Sequence, residues 1–146
     1  MTSQVSAAMP ARSSPYRVLV IDDEAAIRAL LRRQLEQAGY VVVDAANGRA
    51  GIVASSHQPP DIVLTDIFMP EKDGIEVIQE VRFYWSKSRI IAMTGGQLKS
   101  SFESIVQPAV LLLGADRVLI KPFDQETLLS AIQDTLSMNG PRHSLE

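Results

Sequence analysis

The chain has 146 residues, of which 46% are apolar and 21% charged, with one tryptophan and no cysteine. That is the size and composition of one globular domain, and the missing cysteine excludes disulfides, thiolate zinc sites and cysteine nucleophiles. Seventeen acidic against fourteen basic residues leave a net charge of −3, which gives no electrostatic reason to bind nucleic acid; the longest apolar run, Ala109 to Leu113, is far short of the roughly 18 residues a bilayer-spanning helix needs, no basic-then-apolar leader opens the chain, and a cytoplasmic protein is expected.

Residues 1–15 are rich in Ser, Ala and Pro without a hydrophobic period and are expected to form a disordered N-terminal tail. The folded unit is expected over 16–138. Residues 139–146 form a short C-terminal tail, whose closing Leu145-Glu146 has the look of a vector-derived remnant. Within the folded unit, Arg17 to Ile21 is a short apolar run that stops at Asp22-Asp23, as a buried strand does. Ile27, Leu30, Leu31, Gln34, Leu35 and Ala38 then make a helical stripe that Gly39 closes. Tyr40 to Ala45 is β-branched and predicts a second strand, and Asn47 to Ser56 a weaker helix ended by Pro59-Pro60. Ile62 to Thr65 predicts a third strand, ending at Asp66. Gly74 to Trp85 carries Ile75, Ile78, Val81 and Trp85 at helical spacing. Arg89 to Met93 predicts a fourth strand, ending at Thr94. Phe102 to Leu113 predicts a helix that Pro108 must kink or split. Arg117 to Ile120 predicts a fifth strand, ending at Lys121, and Asp124 caps a last helix through Leu128, Leu129, Ile132 and Leu136.

Apolar strands alternating with helices imply an α/β fold, a doubly wound five-stranded parallel sheet with helices on both faces. In such sheets, sites form beyond the carboxyl ends of the strands. Here those ends bear Asp22 and Asp23, then Asp66, Thr94 and Lys121. Taken singly, each has a plain alternative. The Asp22-Asp23 pair could be a solvated turn or a helix cap, Asp66 a strand-end turn residue, Lys121 a surface lysine, and Thr94 a mere strand end. Together on one sheet edge they form three carboxylates, a hydroxyl and an ammonium. Like charges so close need a cation to stay ionised, and magnesium, a hard ion with oxygen ligands, suits the set. The absence of cysteine and the polar loop contexts of His57 and His143 argue against zinc. A carboxylate beside magnesium, with a lysine and a hydroxyl near it, can attack a phosphoryl group and hold it as an acyl phosphate.

At these residues the chain resembles the receiver domains of bacterial two-component response regulators. The matching stretches are Val18 to Glu24 (VLVIDDE), Leu64 to Gly74 (LTDIFMPEKDG), Met93 to Gly96 (MTGG) and Leu119 to Phe123 (LIKPF), in order and each at a predicted strand end. The resemblance implies the flavodoxin-like strand order 2-1-3-4-5. It implies Asp66 as phosphoacceptor and Asp23 as the direct carboxylate ligand of Mg2+, with Asp22 acting mostly through water. It further implies that the Phe68 backbone carbonyl completes the metal's protein ligands, that Thr94 is the switch hydroxyl, and that Lys121 pairs with the phosphoryl group. A cis Lys121-Pro122 bond is also implied. The chain departs from the family pattern at Val118, where an aromatic residue or His is usual, and in the Gly95-Gly96 and Gln97 to Ser101 segment, where a mobile loop and a shortened fourth helix are expected.

The implied partners are a histidine kinase or histidine phosphotransfer protein as donor and a downstream protein, without direct nucleic-acid binding or membrane insertion, the chain being a monomer or weak dimer. A stand-alone receiver is expected, since nothing after 138 has the length of an output domain. Two other functions are open: a magnesium-dependent phosphohydrolase with an aspartate nucleophile, and a phosphate-independent binding module. The first lacks the second carboxylate such enzymes place two residues after the nucleophile, because that residue is Phe68. Phe83-Tyr84-Trp85 is expected to serve packing rather than a partner, with Trp85 continuing the buried stripe and Phe83 and Tyr84 partly exposed. The stretch Thr94 to Ser100 lacks the Gly-Lys pair of a phosphate-binding loop.

Overall fold

The computed structural model describes residues 14–67, 74–95, 110–111 and 113–138. Its elements are β1 (Arg17–Ile21), α1 (Ala25–Gln37), β2 (Val41–Ala45), α2 (Gly48–Ala54), β3 (Ile62–Asp66), α3 (Gly74–Tyr84), β4 (Arg89–Thr94), β5 (Arg117–Ile120) and α4 (Gln125–Leu136). The five strands form one parallel sheet in the order β2-β1-β3-β4-β5, as the resemblance implied. Most of the predicted helix over 102–113 lies outside the described residues, as do the tails at 1–13 and 139–146 and the segment 96–101.

Strand alternation explains the two-sided burial. Side chains along a strand point to opposite faces in turn, so Val18 and Val20 enter one core cluster while Leu19 and Ile21 enter the other. The first cluster is closed by Leu31 and Leu35 of α1 and by Leu128 and Ile132 of α4. The second is closed by Val77, Ile78 and Val81 of α3, and α2 lies on the same face, Gly51 sitting against Leu19 and Ile21. Each fully buried aliphatic side chain contributes roughly 1.5–3 kcal/mol by leaving water.

Local signals set the helix ends. Asn47 and Asp124 cap α2 and α4, their carbonyl and carboxylate oxygens accepting from the amides of Ala50 at 2.9 Å and Thr127 at 2.8 Å. Gly39, at φ 100°, ends α1. Its amide donates to Glu36 and that of Tyr40 to Leu35, which satisfies the last carbonyls and needs the left-handed backbone glycine adopts freely.

Three sequence expectations shift. Thr94 and Asp66 lie inside their strands rather than just past them. In α1, Leu30 is 46% exposed, off the buried stripe. In α3, Val77 is fully buried although the predicted stripe omitted it; it faces α2, where a Cβ on Gly48 would lie 2.6 Å from its Cγ2. The aromatic run divides along the expected line. Trp85 is half-buried against the core, whereas Phe83 and Tyr84 are 81% and 59% exposed and pack edge-to-face on each other at 5.1 Å.

Candidate functional site

The order reverses at β1, which has β2 on one side and β3 on the other. Doubly wound sheets open a crevice at such a point, at the carboxyl ends of the strands. The register aligns those ends: Ile21 pairs with Ala45 and Thr65, Asp66 with Met93, and Thr94 with Ile120. The amide of Asp22 then donates to Ala45 at 3.2 Å and that of Lys121 to the Thr94 carbonyl at 2.7 Å. The residues expected at the strand ends are thereby carried to one edge.

Carboxylate oxygens of Asp22, Asp23 and Asp66 lie within 4.8 Å of one another. Asp22 is fully buried and Asp66 nearly so, while Asp23 is exposed. The Lys121 ammonium bridges the two buried acids, donating to Asp22 Oδ2 at 2.8 Å and Asp66 Oδ2 at 3.1 Å. Burial alone would lower the lysine pKa, but its hydrogen bonds and charge contacts with Asp22 and Asp66 outweigh that and hold it above the ordinary lysine value. The Lys121-Pro122 bond is cis.

Thr94 is 1% exposed, and among the described residues its hydroxyl has no hydrogen-bond partner. Phe68, expected to offer its carbonyl to a metal, lies outside the described residues. Val118 sits on β5 opposite Ala92 and packs against the second core cluster. The donor set is all oxygen, anionic and clustered, which fits a hard divalent cation such as Mg2+.

What sequence reading missed is the support around these acids. The Arg28 guanidinium donates to the Asp22 carbonyl at 2.7 Å. At the opposite edge of the sheet, the buried Asp116 carboxylate accepts from the Ile90 amide at 2.8 Å and pairs with Arg82 and Arg89 at 3.4 and 3.5 Å. A cation in the first turn of α1, close behind Asp22 and Asp23, was the available signal for Arg28.

A doubly wound sheet with an acidic, lysine-bridged notch at its switch point defines a phosphoryl-accepting module rather than a dinucleotide binder. The family model for the response regulator receiver domain matches residues 18–133. The chain is 36% identical over 127 residues to response regulator MprA of Mycolicibacterium vanbaalenii, a match covering 87% of this chain and 53% of that protein. It is 32% identical over 123 residues to chemotaxis protein CheY of Bacillus subtilis, covering 84% of this chain and 98% of that one. The solved structure of chemotaxis protein CheY4 of Vibrio cholerae superposes with a TM-score of 0.73 at 30% identity, covering 84% of this chain and 100% of that one. The chain belongs to the response regulator receiver domain family and has a phosphoacceptor role in two-component signalling. It spans about half the length of the MprA relatives it matches.

Proposed function

We propose that Asp66 is the phosphoacceptor and that a phosphohistidine protein, a histidine kinase or a histidine phosphotransfer protein, is the donor. The observation that carries this reading is the Lys121 ammonium bridging Asp66 and Asp22 inside a three-carboxylate cluster. An Asp66 carboxylate oxygen attacks phosphorus and forms the new P–O bond. The P–N bond breaks, and the imidazole leaves with that electron pair, its other ring nitrogen carrying the proton that keeps it neutral. Asp22 and Asp23, with Asp66, are the residues that would hold Mg2+. When bound, the ion offsets the charge that three phosphoryl oxygens bring to the acidic notch.

Lys121 then exchanges a carboxylate oxygen of Asp66 for a phosphoryl oxygen, and Thr94 donates its hydroxyl to another. Both movements pull on one stretch of backbone, because the Lys121 amide is bonded to the Thr94 carbonyl. That gives two conformations whose populations the phosphoryl group shifts, for a downstream protein to read. With Val118 in place of an aromatic residue, the usual rotating ring is absent from that position. Residues 16–138 are the proposed folding unit, acting as a monomer or weak dimer in the cytoplasm. It assists only its own phosphorylation and dephosphorylation and contacts protein rather than nucleic acid. Among the described residues no helix is long and apolar enough to cross a membrane.

The test is labelling by acetyl phosphate with Mg2+, followed by intact mass. The parent chain gains one phosphoryl group, Asp66→Asn gains none, and chelation abolishes the gain. Equal labelling of the Asn variant would refute the assignment.

A further inference from the structure

We infer that Arg28 is a positioning residue that aims Asp23 at the metal, and that Asp44 holds Arg28 in place; the inference rests on the metal reading above.

All four hydrogen-bonding functions of Asp22 are engaged. Its amide donates to Ala45 at 3.2 Å. Its Oδ1 accepts from the Glu24 amide at 2.9 Å and its Oδ2 from Lys121 at 2.8 Å. Its carbonyl accepts from Arg28 Nη1 at 2.7 Å, short enough to be a strong charge-assisted bond. That last contact reaches beyond Asp22. The peptide group is planar, so holding the Asp22 carbonyl fixes the plane that also contains the Asp23 amide and Cα. Asp23 is the exposed acid of the cluster and follows directly on that plane. Arg28 thus sets the direction in which the Asp23 carboxylate leaves the backbone.

The arginine is itself anchored. Its Nε lies 3.8 Å from Asp44 Oδ1 on β2, the neighbouring strand. Asp44 is also tied to Arg32 Nη1 at 3.2 Å, and Arg32 to Glu36 at 2.9 Å. Arg28 stands in the first turn of α1, one turn after the N-cap Glu24, where its guanidinium reaches both the Asp22 carbonyl and Asp44.

Two physical effects predict opposite signs, which makes the inference testable. If Arg28 acted only through its charge, removing it from the neighbourhood of three carboxylates would strengthen Mg2+ binding. If it positions Asp23, removing it weakens binding, by about tenfold as for other groups that orient a metal ligand. The experiment titrates the metal-free parent chain, Arg28→Gln, Arg28→Lys and Arg32→Ala with Mg2+ by calorimetry, after thermal melts establish which variants are folded. The same samples report amide exchange at Glu24. Expected are weaker Mg2+ binding and faster Glu24 exchange in Arg28→Gln, recovery of most of the affinity in Arg28→Lys, and parent-like behaviour in Arg32→Ala, which shares Asp44 without touching Asp22. Unchanged or tighter binding by folded Arg28→Gln overturns the inference while leaving the metal reading intact. Equal weakening in Arg32→Ala also overturns it, since the effect would then come from Asp44 and general charge. A parent chain that binds no Mg2+ overturns the metal reading and this inference with it.

Discussion

Lys121→Met tests the electrostatic account of the notch. In the metal-free chain this ammonium is the cation between two buried carboxylates, 2.8 Å from Asp22 and 3.1 Å from Asp66. Removing one partner of a buried ion pair costs about 3–5 kcal/mol. Here the lysine side chain is 17% exposed and that of Asp66 is 9%, so water screens part of the loss and about 2 kcal/mol is expected. For a domain of this size that lowers the melting temperature by about 8 °C in chelator. Magnesium should offset most of that loss. Without the competing ammonium, Mg2+ meets a more negative notch and binds about tenfold tighter, so at one saturating concentration it adds about 1.4 kcal/mol more stability to the variant than to the parent. The pH dependence has a defined sign as well. Because the folded-state pKa of Lys121 is raised, its contribution is fully present below the ordinary lysine pKa and is lost as pH rises through the higher folded value. The parent should therefore lose more stability than Lys121→Met on going from neutral into strongly alkaline solution. Tyr40, whose pKa burial also raises, loses stability in the same direction but equally in both chains. Paired thermal melts with chelator or Mg2+, repeated across alkaline pH, make the measurement. An unchanged melting temperature in chelator, or an equal Mg2+ increment in both chains, would falsify the reasoning.

Thr94→Val should raise stability by about 1 kcal/mol in the unphosphorylated state, because it replaces a buried hydroxyl that has no partner among the described residues, while weakening the spectral response to beryllium fluoride with Mg2+; a destabilised variant would show that the hydroxyl is bonded in the resting state. Gly48→Ala should destabilise by about 1–3 kcal/mol despite alanine's better helix propensity, since the new Cβ meets Val77 Cγ2 at 2.6 Å, and adding Val77→Ala should recover part of the loss in a double-mutant cycle by denaturant unfolding. Asp116→Ala should cost about 2–3 kcal/mol by leaving Arg82 and Arg89 without their shared carboxylate, yet the folded variant should label at the parent's rate, because Asp116 precedes β5 and lies on the edge opposite the notch. A labelling defect in that folded variant would mean the two sheet edges are coupled.

Much of the layout was legible because local chemistry and global fold agree. A parallel strand buried on both faces must be apolar along its length, and a polar residue can appear only where it ends. Val18 to Ile21, Ile62 to Leu64 and Ile90 to Met93 carry that signal, and the acids, threonine and lysine that stop each run mark the functional edge. Helix caps at Asn47 and Asp124 and the stop at Gly39 were readable for the same local reason. Side-chain direction around a helix was less legible. A stripe fitted to α3 found the sheet-facing Ile78 and Val81 but omitted Val77, because a second helix, α2, packs on that flank through Gly48. Phe83 and Tyr84 remain exposed past the end of the same packing surface.

Sequence alone was enough to single out the candidate residues, since Asp22, Asp23, Asp66, Thr94 and Lys121 each end an apolar run. Only the tertiary structure decided how they are held. The bond from Arg28 to the Asp22 carbonyl, its tether to Asp44 on β2, and the lysine bridging Asp22 and Asp66 from 99 and 55 residues away depend on strand register and on the rotation of α1 about its axis. Those are set by packing among elements distant in the chain, and no local pattern of residues encodes them.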